Sequence, residues 1–323
     1  MKKLFAVILS AILLLSSASA LAEPYRVAIV QPMSHTSLDQ IRDTIVTQLE
    51  SSGRDIEIVL GNANGDTAAL ATILSNLRAD GVDMLIPIAT STAQTARMVF
   101  EDDELPIFAA VSDPVSAGLT GEGCENITGV SNSIPAAEIV KLIRTFQPDC
   151  QKIGFLYTSS EVNSVSTINA AKAYCDAEGI AYAEASIANL SELQPAVEAL
   201  ISKGVDALYT GNDNSIASAM ATYTDAAYSV GIPVYCGADS MVADGGFATI
   251  GVNYVQLGEQ VSALALKIMD GAQPSELPYE VLADYARFVN LQAVQRFGGQ
   301  FAAEAYEGFT GLVEEDGTSH FGQ

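Results

Sequence analysis

The stretch RADGVDMLIPIATSTAQTA, residues 78–96, decides the fold. Its first residues close a helix on Gly81, the residue type that ends helices most readily. VDMLIPI, 82–88, is then an apolar run of strand length. ATSTAQTA, 89–96, follows and sets three hydroxyls in a row, Thr90, Ser91 and Thr92, where the strand hands over to the next helix. A helix ending in GVD, a buried strand and a polar loop recur in the second half as ISKGVDALYTGNDN, 201–214.

Working outward, β-branched and apolar runs recur at 25–30, 55–60, 105–111, 152–158, 181–187, 232–237 and 247–252. Between them lie helical patterns such as LDQIRDTIVTQLESSG, TAALATILSNLRADG, STINAAKAYCDAEG and LQPAVEALISKG. Alternation of this kind means parallel sheets with helices on both faces. The doubled pattern predicts an α/β chain of two doubly wound parallel-sheet lobes with a ligand cleft between them. In such sheets ligands bind beyond the carboxyl ends of the strands.

The first residues read Lys2-Lys3, LFAVILSAILLL and SSASALA, the order of a cleaved signal peptide over 1–22, with a cut after Ala20 or Ala22. The apolar run is too short to span a bilayer, and no Cys stands near it to take a lipid. A soluble periplasmic or secreted protein is expected. About 300 residues then remain, which favours two domains. With 39 acidic residues against 15 basic ones, nucleic acids and anionic membranes are disfavoured as partners. Two histidines and no CxxC leave a metal site without support, and no cofactor is expected.

The loops after the strands are QPMSHTSLD, ATSTAQ and SDPVSAG in the first half, and SSEVNS, GNDNS and GADS in the second. One Ser, Thr, Asn or Asp per loop is explained by helix capping. Three consecutive hydroxyls are not, nor are Glu161, Asn163 and Ser164 together. Hydroxyls at helix starts hold an anion without Arg. The same loops supply Asp113, Glu161, Asp213 and Asp239 but no Lys or Arg. A ligand with one anionic and one cationic group, such as an amino acid, fits this balance; phosphosugars and dicarboxylates would call for Arg.

With the signal peptide, the segments YRVAIVQPMSHTSLDQIRDTI, VSDPVSAGLTG, ENITGVSN, KIGFLYTSSEVNS and GVNYVQLGEQ make the chain resemble the substrate-binding proteins of ABC importers. More narrowly, it resembles the type I periplasmic-binding-fold family with tryptophan-binding and other aromatic amino-acid-binding members. The resemblance implies two lobes closing on a ligand, at 23–130 plus 254–277 and at 131–253 plus 278–323. It implies ligand contacts from Ser34, His35, Thr90, Ser91, Thr92 and Asp113 in the first lobe. From the second it implies Asn132, Glu161, Asn163, Ser164, Asp213, Asn214 and Asp239. The three hydroxyls would receive the ligand carboxylate, and Asp213 or Asp239 the ammonium. An ABC permease is the implied membrane partner, and a monomer is expected.

Several residues keep a second reading. Asp113 precedes a proline and so also suits a turn, and His35 suits an ordinary surface position. Phe155, Tyr157, Tyr209, Tyr235 and Tyr254 are candidates for a side-chain pocket, although strand residues of this kind often fill cores. Four cysteines suit an oxidising compartment, and topology puts Cys150 and Cys175 together, away from the cleft, as a disulfide. No GxSxG, HExxH, P-loop or dinucleotide motif is present, so binding is expected rather than catalysis. A sensor that presents ligand to a membrane receptor is the alternative, as is a branched aliphatic or other small polar ligand.

Overall fold

The computed structural model describes residues 23–100, 107–282, 285–298, 301, 303–318 and 320. The signal peptide expected over 1–22 lies outside the described residues.

The first lobe opens with β1 (Tyr25–Gln31), α1 (Thr36–Ser51), β2 (Ile56–Asn62), α2 (Thr67–Ala79), β3 (Met84–Pro87), α3 (Thr90–Val99), β4 (Ile107–Ala109) and β5 (Thr128–Ser131). The second continues with α4 (Ala136–Phe146), β6 (Lys152–Thr158), α5 (Val162–Glu178), β7 (Ala181–Ile187), α6 (Leu193–Ser202), β8 (Ala207–Tyr209), α7 (Asn214–Ala217), α8 (Met220–Tyr228), β9 (Val234–Tyr235), α9 (Asp239–Ala243) and β10 (Ala248–Gly251). The chain then returns to the first lobe as α10 (Tyr254–Met269) and β11 (Glu280–Val281). It finishes in the second as β12 (Ala286–Asn290), α11 (Leu291–Arg296) and β13 (Thr310–Val313).

In the first lobe β2-β1-β3 pair in parallel and an Ile88–Ala109 bridge joins them to β4-β5-β11. The second lobe is one sheet, β13-β12-β10-β9-β8-β6-β7. Strands β10, β9, β8, β6 and β7 are parallel; β12 runs antiparallel to β10 because the chain re-enters the lobe from the hinge, and β13 runs with β12. Central strands such as β3 and β8 are apolar throughout because both faces are covered. The third crossing between lobes falls after Val281 rather than at 278, since β11 pairs with β5 of the first sheet.

The helices bury one stripe. Leu38, Ile41, Ile45 and Leu49 of α1 are buried at helical spacing, and α10 packs on α1 at Gly258. A Cβ there would stand 2.7 Å from the Cβ of Thr44, so the helices approach this closely only around a glycine. In the second lobe Phe146 anchors an aromatic cluster, 5.0 Å edge-on from Phe247 and 5.8 Å from Phe301. Tyr235, Tyr209 and Phe155 belong to this lobe's interior rather than to a ligand pocket.

The Cys150–Cys175 disulfide is not formed. All four cysteines are buried thiols, packed as small apolar side chains. Cys150 and Cys175 are near enough to influence each other, and burial pushes each thiol up to about 11.

Candidate functional site

Between the lobes lies a narrow cavity of about 20 Å³, room for about one water molecule. Loops after β1, β3, β4 and β5 meet those after β6, β8 and β9 around it.

The first-lobe wall is built on strain. Ala89, which links β3 to α3, has φ 73° and ψ 159°, a region that only glycine adopts without cost. Ala110, just past the neighbouring β4, has φ 58° and lines the cavity. The bend at Ala89 turns α3 so that its first residues face the cleft, and no side chain caps this helix. Its first N–H groups are therefore left for an outside acceptor.

The three hydroxyls fan out, because successive helix residues are about 100° apart. Only Thr90 lines the cavity, buried and, among the described residues, without a hydrogen-bond partner for its hydroxyl. Ser91 faces an outer recess of about 450 Å³ that it shares with Met33 and Gln94 and, from the second lobe, Glu161, Asn214 and Ser215. The Thr92 hydroxyl is buried in the protein with no partner.

The second-lobe wall is built on carboxylates. Asp213, fully buried, accepts from the Thr158 N–H (2.6 Å), the Thr158 hydroxyl (2.9 Å), the Ser164 hydroxyl (2.6 Å) and the Ile216 N–H (2.9 Å). These bonds cap α7 and tie it to β6. Burial and the nearby Glu161 charge push Asp213 upward, opposed by those donors. Glu161 accepts from the N–H and side chain of both Asn214 and Ser215 and from Asn163, holding the same helix start from outside. Ser164 therefore orients Asp213, and Glu161 orients Asn214; neither lines the cavity.

Asp239 sits next to the wall residue Ala238 without itself lining the cavity; burial, and after it the Asp239 charge, raises the Tyr254 hydroxyl. Apart from a local bond from Ser240 N–H (2.7 Å) its carboxylate has no partner in another residue, and burial pushes it up to about 7. Among the described residues none of Glu161, Asp213 and Asp239 is paired with a Lys or Arg.

Asn163 lines the cavity while its side-chain N–H donates to the Asn212 carbonyl (2.5 Å). Asn132 stands at the first crossing between lobes, accepting from Ser112 (3.0 Å) and donating to the Tyr254 hydroxyl (3.2 Å). His35 lines the cavity and meets the Asn214 side-chain oxygen at 3.2 Å. Because the Asn214 amide N–H is taken by Glu161, its oxygen must accept, so His35 carries its proton on Nε2. Burial lowers the His35 pKa, which keeps the ring neutral.

Like Ser91, Thr92, Glu161, Ser164 and Asp239, two further expected contacts lie off the cavity wall. Ser34 is exposed and accepts from Asn62 (2.8 Å). Asp113 lies outside the cavity wall and accepts from Ser166 of the other lobe (2.5 Å) and from the Ser116 N–H (3.0 Å). Ser37, Leu38, Ser112, Asn212 and Met241 line the cavity without having been singled out in the sequence. Ser37, Ser112 and Asn212 adjoin positions that were, inside the same polar loops. Of the aromatic candidates, Tyr254 alone is in the wall.

Two parallel-sheet lobes around a small polar cavity define a solute-binding protein of the type I periplasmic-binding fold. The profile of the ABC transporter substrate binding protein family matches residues 26–304, and the chain belongs to that family. A tyrosine-binding protein of Clostridioides difficile is 30% identical over 82% of this chain and 78% of its own. An ABC domain from Streptococcus pneumonia in complex with L-Trp superposes with a TM-score of 0.83 at 29% identity, covering 89% of this chain and 99% of the other. A ligand-free, open substrate-binding protein with adhesive properties from Clostridium difficile gives 0.67 at 30% identity, over 90% and 99% of the two chains. Among the described residues no helix is long and apolar enough to cross a membrane.

Proposed function

We propose that this substrate-binding protein takes up an aromatic amino acid as its zwitterion outside the cytoplasm and delivers it to an ABC permease, without catalysis. One observation carries the reading: buried carboxylates with no basic partner stand across the cavity from an uncapped helix start. A buried charge left alone is costly. An ammonium group on the second-lobe side supplies the missing counter-charge, and a carboxylate completes the N–H groups and Thr90 hydroxyl of α3. The relatives that bind tyrosine and L-Trp support the aromatic side chain. Asp213 has its acceptor positions filled, so the ammonium falls to Asp239.

Calorimetry with L-tryptophan, L-tyrosine and L-phenylalanine tests this, alongside tryptamine and indole-3-propionate, which each lack one charged group. The chain has no Trp, so indole emission reports the ligand directly. Both analogues should bind at least ~100-fold more weakly than the amino acid, the effect of losing one charged hydrogen-bonded contact. Equal binding of indole-3-propionate would remove the ammonium site. Thr90→Val should cost about tenfold in affinity, whereas Ser91→Ala and Thr92→Val should leave it nearly unchanged.

A further inference from the structure

The lobes are also joined directly, and the joins fall in a pattern. In the first sheet β3, which leads to Thr90, lies between β1 and β4. In the second sheet β8, which leads to Asp213, lies between β9 and β6. The loops after the flanking strands reach across to each other. Thr36, after β1, donates to the Asp244 carboxylate at the end of α9 (2.9 Å). Ser166, on α5 after β6, donates to Asp113, after β4 (2.5 Å). None of these four residues lines the cavity.

Strands β3 and β8 stand at the middle of the site, whose wall also takes residues from the loops after β1, β4, β6 and β9, and a hydroxyl–carboxylate bond closes each flank. Ser37–Ser240 and His35–Asn214 also cross the cleft, but Ser37, His35 and Asn214 are wall residues. Asp113 suits its place. Its carboxylate is only partly buried, and the bonds from Ser116 and Ser166 outweigh that burial and hold it below the usual carboxylate range.

We propose that Thr36–Asp244 and Ser166–Asp113 are two latches that set the closed population of this protein independently of which ligand it holds. This rests on the reading of the cavity as a ligand site that closes. A bond made only in the closed form shifts the open–closed equilibrium, and every ligand's apparent affinity scales with the closed fraction. The latches thus tune affinity without touching selectivity. Asp113 acts on the equilibrium rather than on the ligand.

The test is the double variant Thr36→Val/Ser166→Ala, which keeps both carboxylates and nearly the same volumes. Small-angle scattering without added ligand should show a larger radius of gyration than the parent. Calorimetry should show affinities for L-tryptophan, L-tyrosine and L-phenylalanine weakened by one common factor, about tenfold. Unequal losses would make these residues ligand readers and overturn the proposal, as would an unchanged radius with unchanged affinities. If the parent protein binds none of the three amino acids, the ligand reading falls, while the scattering comparison still decides for or against the latches.

Discussion

On the first-lobe wall of the cleft polar groups are left without partners, whereas on the second-lobe wall they are mostly bonded to one another. Thr90 and the start of α3 wait for an acceptor behind the strained Ala89. Across the cavity Asp213 has four donors and Glu161 five. The second wall lacks positive charge and, among the described residues, a donor for the buried Asn212 side-chain oxygen. The ligand completes hydrogen bonds on one side and electrostatics on the other, so substitutions on the two sides should fail differently.

The largest contrast is in stability. Asp213→Ala leaves two backbone N–H groups and two hydroxyls facing no acceptor, which should cost about 3 kcal/mol or more. Thr90→Val removes a hydroxyl that bonds to nothing in the protein, so its stability should change by less than about 0.5 kcal/mol. Urea unfolding midpoints compare the two. A loss near zero for Asp213→Ala would mean that the second wall is not self-supporting, and the contrast between the walls would be gone.

The next effect is a pH dependence confined to the second wall. The folded Asp239 carboxyl is pushed up to about 7 from an ordinary 3.8. Between those values the folded state holds a proton that the unfolded state has lost, so stability falls as pH rises through about 4 to 7. The slope for this one group is about 1.4 kcal/mol per pH unit. Asp239→Asn removes the ionisation, so the variant should gain on the parent across the window and hold a constant margin above it. Ligand affinity should move the other way in the parent, rising up to about tenfold per unit toward pH 7 as the carboxylate forms, and the variant's profile should be shallower there, with the raised Asp213 left to titrate. A parallel pH profile for parent and variant would assign the titration to another group.

How far the walls could be read from sequence differs in the same way. The alternation of strand and helix was legible because burial on both faces leaves long apolar runs, and β6 falls on the predicted 152–158. The carboxylates and the hydroxyl loop were visible as residue types at strand ends. Their division of labour was not. Thr90, Ser91 and Thr92 look equivalent in a line of text, but a helix turns them to three surroundings. Asp213 and Asp239 look equivalent too, until the donors brought by Thr158, Ser164 and Ile216 fill one of them. Asp113 was read as a wall residue because its loop is at the right end of the right strand; only the second lobe's position shows its partner to be Ser166.

The smallest effect concerns the strain behind the first wall. Ala89 at φ 73° and ψ 159° holds a conformation that costs on the order of 1–3 kcal/mol for a residue with a Cβ. Ala89→Gly relieves it but frees the unfolded chain by about 0.4–1 kcal/mol, so the net gain in thermal unfolding should be about 1 kcal/mol. If the strained link also fixes the aim of the α3 start, the stabilised variant should bind the amino acid a few-fold more weakly, since a looser receptor gives up pre-organisation. A variant that is both more stable and equally tight would make the strain a by-product of joining β3 to α3, and the first wall would then owe its function to its unpartnered groups alone.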